Sequence, residues 1–140
     1  MDSANLSVHK FDIQDEAQLI QFWQTAFPNE PAHNAPNKTI KAKLAIDDLI
    51  FIARYKEKIV GACMAGYDGH RGWLYSVAVD QEFRRFGIGK KLVMTTIDSL
   101  KELGCIKLNL QIRADNTQVA DFYRSLGFGV EERMSMGKFI

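Results

Sequence analysis

The chain has 140 residues, 46% hydrophobic and 25% charged, a balance suited to one globular domain with one buried core. Eighteen basic against seventeen acidic residues leave a formal charge of +1, so no global field draws the chain to nucleic acid or to an anionic membrane, and any anion site has to be local. No run reaches the roughly 18 apolar residues of a membrane span, and Met1-Asp2-Ser3-Ala4-Asn5 is unlike a secretory signal, so a cytoplasmic location is expected.

Asp12 or Asp15 is placed to cap a first helix carrying Ile20, Trp23 and Phe27 at helical spacing, and Pro28 stops it. Asn29 to Asn37, with Pro31 and Pro36, reads as a loop before a short helix containing Ile40 and Leu44. Leu49 to Tyr55 and Ile59 to Tyr67 are rich in branched and aromatic residues, and Lys56-Glu57-Lys58 between them suits a hairpin turn. After the glycine-punctuated loop Asp68 to Gly72, Trp73 to Val79 forms a third strand bounded by Asp80.

Ile88, Leu92, Val93, Ile97 and Leu100 mark the apolar face of a helix that Gly104 is suited to cap. Ile106, Leu108, Leu110 and Ile112 alternate with polar residues, a period of two that predicts a strand, so a strand, helix, strand crossover results. Asn116 is placed to cap a last helix with Val119, Phe122 and Leu126 on its core side, and Gly127 ends it. Phe128 to Ile140 is expected to form one or two closing strands. Cys63 and Cys105 lie in apolar stretches with no histidine at metal spacing, so two buried reduced thiols are expected and no metal site.

Between the third strand and the long helix lies Arg84-Arg85-Phe86-Gly87-Ile88-Gly89-Lys90. Two glycines at a strand-to-helix turn allow amide N–H groups to converge on an anion at the positive end of the helix, with Arg84, Arg85, Lys90 and Lys91 at the rim. The alternative from the loop alone is a tight turn with a solvated basic face. Neither G-x-x-x-x-G-K-[ST] nor G-x-G-x-x-G is present.

The stretch R-x-x-G-x-G, following Val77-Ala78-Val79-Asp80, resembles the coenzyme A motif of the GCN5-related N-acetyltransferases (GNAT). Asn116, Ala120, Phe122-Tyr123 and Leu126-Gly127-Phe128 resemble that family's second motif, and over the whole chain the likeness is to small YpeA-type members. The resemblance implies an α/β (α+β) single-domain fold over residues 1–140, with a mixed, mainly antiparallel sheet flanked by helices and a V-shaped splay between the two central strands. It further implies that the backbone of Val77, Ala78 and Val79 binds the pantetheine arm of acetyl-coenzyme A, with an N–H near Val77 facing the oxyanion. By the same likeness Arg84, Arg85, Phe86, Gly87, Ile88, Gly89 and Lys90 supply the pyrophosphate cradle. Asn116 would then hold the pantetheine end, and Tyr123 would both touch the coenzyme and act as general acid.

The function so implied is acetyl transfer, by direct attack, to a primary amine of a small molecule or peptide; no nucleic acid or membrane partner is expected, and a homodimer is left open. A coenzyme A-binding regulatory protein with little turnover is the alternative, and a simple diphosphate-binding module another. A glutamate serves as base in some relatives where Gln111 stands here, and a neutral amide cannot take its place. Asp68 and His70 are weak candidates, with Tyr75 and Glu30 weaker. Arg54, Tyr67, Trp73 and the proline-bearing segment are candidate walls of the acceptor cleft.

Overall fold

A computed structural model describes residues 1–140. Its sheet has the order β1-β2-β3-β4-β5, built from Leu6–Lys10, Ile50–Tyr55, Lys58–Tyr67, Gly72–Val79 and Leu108–Leu110. The first three pairings are antiparallel and β4 with β5 is parallel, so the sheet is mixed and mainly antiparallel, as expected. Helices α1 (Glu16–Ala26), α2 (Pro36–Leu44), α3 (Ile88–Glu102) and α4 (Thr117–Ser125) flank it.

Alternation along β2 sends Ile50 and Ile52 to one face and Phe51 and Ala53 to the other. The first pair joins Leu19 and Trp23 of α1 and Ile40 of α2. The second joins Ile88, Leu92, Val93 and Leu100 of α3 and Tyr123 of α4. The sheet is thus a two-faced layer, and what passes between its faces has to cross where strands part.

Two irregularities set where that happens. On β3, Ala62 pairs with Ala78 and Met64 with Tyr75, so Cys63 alone faces both Ser76 and Val77, a bulge with its extra residue on β4. Ser76 adopts φ 52°, a left-handed conformation costing a non-glycine residue about 1–2 kcal/mol. The indole N–H of Trp23 donates to the Ser76 carbonyl oxygen at 3.1 Å and holds it there. The other irregularity is the short partner strand: β5 pairs with β4 only from Gly72 to Leu74. Tyr75 to Val79 therefore have no β5 partner, and the two strands splay apart.

Three expectations are corrected. β1 was not predicted; it is a half-polar strand whose ladder on β2 has to be supplied from some forty residues away. The strand expected over Ile106 to Ile112 is ordered as such only over Leu108–Leu110, because only those residues meet β4. No closing strand forms after Phe128. The tail meets β5 through side chains alone, Lys107 with Glu131 at 2.6 Å and Gln111 with Ser135 at 2.6 Å, so no backbone ladder holds it. Asp12 and Asp15 both cap, each carboxylate bonding the other's backbone N–H or its neighbour's in a capping box that precedes α1.

The junction from which the strands splay is closely packed. A β-carbon on Gly72 would lie 2.9 Å from Sγ of Cys105 and 3.3 Å from Leu100. Gly72→Ala is expected to destabilise the fold by about 1–3 kcal/mol through overpacking, read as a lower urea midpoint; an unchanged midpoint would show that Cys105 yields freely.

Candidate functional site

Arg84 to Gly87 link β4 to α3, and Ile88 to Lys90 form the first turn of that helix, as the sequence implies. A short 3-10 turn, Gln81–Phe83, leads into it, capped by Asp80 accepting from the Glu82 N–H at 2.9 Å. Arg85 and Gly87 both have positive φ, 70° and 76°, and Gly87 is the N-cap of α3. Reversals of backbone hand in a turn gather N–H groups on one side, the arrangement known as a nest.

The first bond within α3 runs from Lys91 N–H to the Gly87 carbonyl, which leaves the amides of Ile88, Gly89 and Lys90 without intrahelical acceptors. No side chain caps them. The two glycines have separate tasks. Gly87 supplies the left-handed turn. Gly89 lets α3 approach its neighbours: a β-carbon there would lie 3.1 Å from Cζ of Phe122 and 3.7 Å from Cγ2 of Val79.

Arg84, Arg85, Lys90 and Lys91 are exposed, and none is in an ion pair. Asp80, at the head of the turn, is itself engaged. Its bond from Glu82 N–H and then the ammonium of Lys58 at 3.2 Å hold its pKa below the ordinary range and cancel its charge. The loop therefore presents free amides and free cations, fitted to an anion of two or more charges.

Beyond the loop, Val77, Ala78 and Val79 are half-buried along the unpartnered edge of β4. The free edge is the geometry that lets an extended ligand add as a strand. Asn116 caps α4, its Oδ1 accepting from Val119 N–H at 3.4 Å, which leaves its amide NH2 available. Tyr123 is 7% exposed, edge-on to Phe122 and Phe128, and no protein group hydrogen-bonds its hydroxyl. Burial, followed by the nearby Cys63, pushes its pKa up to about 12. Tyr123 shares its buried core cluster with Cys63, the β3 residue opposite the bulge. Asn116 and Tyr123 line one groove of about 1210 Å³ running along β5 and beneath α4, and neither Val77 to Val79 nor the loop Arg84 to Lys90 lines that groove.

The other candidates separate. Asp68 accepts from the N–H groups of His70 and Arg71, both at 2.7 Å, and these bonds, Arg71's first, lower its pKa, so it is a turn-forming carboxylate and a weaker base than usual. Gln111 is exposed and donates to Ser135. Arg54 is bound to Asp15 at 2.7 Å and to Gln18, which removes it from the acceptor candidates, and Trp73 lines the groove beside β5. From the proline-bearing segment, Glu30, Asn34 and Pro36 line a second cleft, of about 320 Å³, with Trp23, Tyr75 and Ser76. Sequence reasoning missed Trp23 and Ser76 as parts of the site. The visible signal was the polar pair Tyr75-Ser76 interrupting an otherwise apolar strand.

No group of histidine, cysteine and carboxylate side chains is arranged to hold a metal ion. Cys63 is fully buried and hydrogen-bonded to Thr96 at 3.3 Å, and burial raises its pKa to about 12, so it is not a nucleophile at neutral pH. No helix is long and apolar enough to cross a membrane.

Comparison with known proteins gives one consistent answer. The model of the acetyltransferase (GNAT) family matches residues 15–128. The chain is 33% identical over 134 residues to acetyltransferase YE1169 of Yersinia enterocolitica, covering 95% of this chain and 94% of that one. It is 34% identical over 134 residues to acetyltransferase ECA0875 of Pectobacterium atrosepticum, with the same coverage. Among solved structures, an aminoglycoside acetyltransferase from an uncultured soil metagenomic sample, in complex with trehalose, superposes with a TM-score of 0.78 at 25% identity, over 100% of this chain and 99% of that one. AAC(6')-Iy in complex with a bisubstrate analogue shares the fold, with a TM-score of 0.82 at 18% identity over 96% and 98% of the two chains.

The buried pair Cys63 and Tyr123 makes stability sensitive to base. Unfolded, the two ionise at about 8.5 and about 10; folded, both are held near 12. Their contribution is present in full below the unfolded values and is lost as pH rises toward 12. The urea midpoint is expected to fall between pH 8 and pH 11, and to fall less in the double variant Cys63→Ala, Tyr123→Phe. An equal fall in both proteins would contradict the assignment.

Proposed function

The chain belongs to the acetyltransferase (GNAT) family, and we propose that it transfers an acetyl group from acetyl-coenzyme A to a primary amine by direct attack. The observation that carries this reading is the succession along β4 of an unpartnered edge, Tyr75 to Val79, and an uncapped α3 N-terminus. A pyrophosphate would take the free amides of Ile88, Gly89 and Lys90 with Arg84 and Arg85 at its rim, and a pantetheine arm would lie along Val77, Ala78 and Val79. Phe86, half-exposed beside these amides, would flank the same ligand.

The bound thioester supplies the acetyl carbon: a C–N bond to the amine forms, the C–S bond breaks, and its electron pair leaves on sulfur. The amine has to be neutral to attack, and its surplus proton is lost to water, since the one carboxylate lining the cleft over the bulge, Glu30, stands at the α1–α2 loop and accepts from Asn34. Tyr123 stays protonated throughout the neutral range. Its pKa lies well above that of a thiol, about 8.5, so the phenol stabilises the departing sulfur by donating a hydrogen bond, and solvent delivers the proton. An N–H near Val77 is the donor for the carbonyl oxygen, and Asn116 offers its NH2 to the pantetheine amides.

Isothermal calorimetry is expected to show coenzyme A binding at least tenfold tighter than ADP, because ADP can use only the α3 terminus. Equal affinities would remove the pantetheine half of the proposal. Tyr123→Phe is expected to lower kcat by about 10- to 100-fold, the loss of one hydrogen bond to a developing charge, with coenzyme affinity unchanged; an unchanged kcat would exclude the tyrosine.

A further inference from the structure

The cleft of about 320 Å³ on the α1/α2 side of the sheet has a definite chemical character. Its floor is the bulge itself, Tyr75 and Ser76, so it opens onto the place where the two faces of the sheet communicate. Its walls include Trp23, Phe27 and Met64, which are apolar. At the α1–α2 loop stands Glu30, the one charged residue of the lining, its Oε2 accepting from Asn34 Nδ2 at 3.1 Å. Tyr75 cannot serve as a second anion, because burial and then the charge of Asp68 raise its pKa above the ordinary phenol.

A pocket with a polar floor, an aromatic wall and one carboxylate at its rim fits a ligand with two polar ends and an apolar middle. One end is the reacting amine, at the bulge. The other has to be a cation, to meet Glu30. The volume lies at the lower limit of ligand pockets, about 300–1,000 Å³, and suits a short, slender acceptor. A single carboxylate also leaves most charges of a polycation unmatched.

We propose that this cleft is the acceptor site and that it selects short aliphatic diamines, with Glu30 holding the distal ammonium and Asn34 positioning Glu30. The inference rests on the acetyl-transfer reading above. The amine at the bulge attacks as already described; the distal ammonium keeps its proton and forms no bond.

The test compares 1,4-diaminobutane, n-butylamine and 4-aminobutyrate as acceptors, by thiol release with acetyl-coenzyme A. The expected order of kcat/KM is diamine, then monoamine, then amino acid, whose carboxylate is repelled by Glu30. In Glu30→Gln the ratio of kcat/KM for diamine over monoamine is expected to fall about tenfold, mostly through KM, and in Asn34→Ala by a smaller factor. Calorimetry with coenzyme A on each variant separates the outcomes: lost coenzyme binding by the native chain would fail the acetyl-transfer reading itself. Coenzyme binding with no preference for the diamine, or a preference unmoved in Glu30→Gln, would overturn the assignment of the cleft and leave the donor site standing.

Discussion

The hydrogen bond from the Trp23 indole to the Ser76 carbonyl is the constraint on which the site depends. It joins α1 to a left-handed residue in the middle of β4, and it offsets the strain of that residue by satisfying a carbonyl that the bulge takes out of the β3 ladder. The bulge turns β4 away from β5, so pairing stops at Leu74 and the edge beyond it is free. The free edge and the floor of the cleft beneath α1 and α2 both follow from that one departure.

The donor loop depends on a second economy of construction, in which two glycines two residues apart serve different ends. Gly87 turns the chain into the helix with φ 76° and no neighbour within 4 Å of where a β-carbon would be, so its role is conformational. Gly89 has ordinary helical placement and sits against Phe122 of α4, so its role is contact. Through that contact the helix bearing Asn116 and Tyr123 is held against the helix whose N-terminal amides are uncapped. The proposed cradle and Tyr123 are registered by packing, not by a shared loop.

Much of this was legible in the sequence. The apolar face of α3 and its glycines are local patterns, and the Asn116-to-Tyr123 spacing places both residues on α4 whatever surrounds it. What escaped depends on partners distant in sequence. β1 exists because β2 offers it a ladder, and β5 is short because β4 leaves it. The tail has branched and aromatic residues yet no backbone partner, and Val130, Met134 and Phe139 remain exposed. The proposed acceptor cleft draws on residues from Trp23 to Thr39 and from Met64 to Ser76, so no contiguous motif could announce it. Arg54 illustrates the converse: a hairpin arginine looked available for a ligand until Asp15, buried at the start of α1, was found to hold it.

The central claim is that one ligand uses both the uncapped α3 terminus and the unpartnered edge of β4. Amide hydrogen exchange of the native chain, alone, with ADP and with coenzyme A, reads both segments at once. The account predicts that ADP slows exchange only at Ile88 to Lys90, whereas coenzyme A also slows it at Val77 to Val79. Protection confined to the helix terminus with both ligands would contradict it.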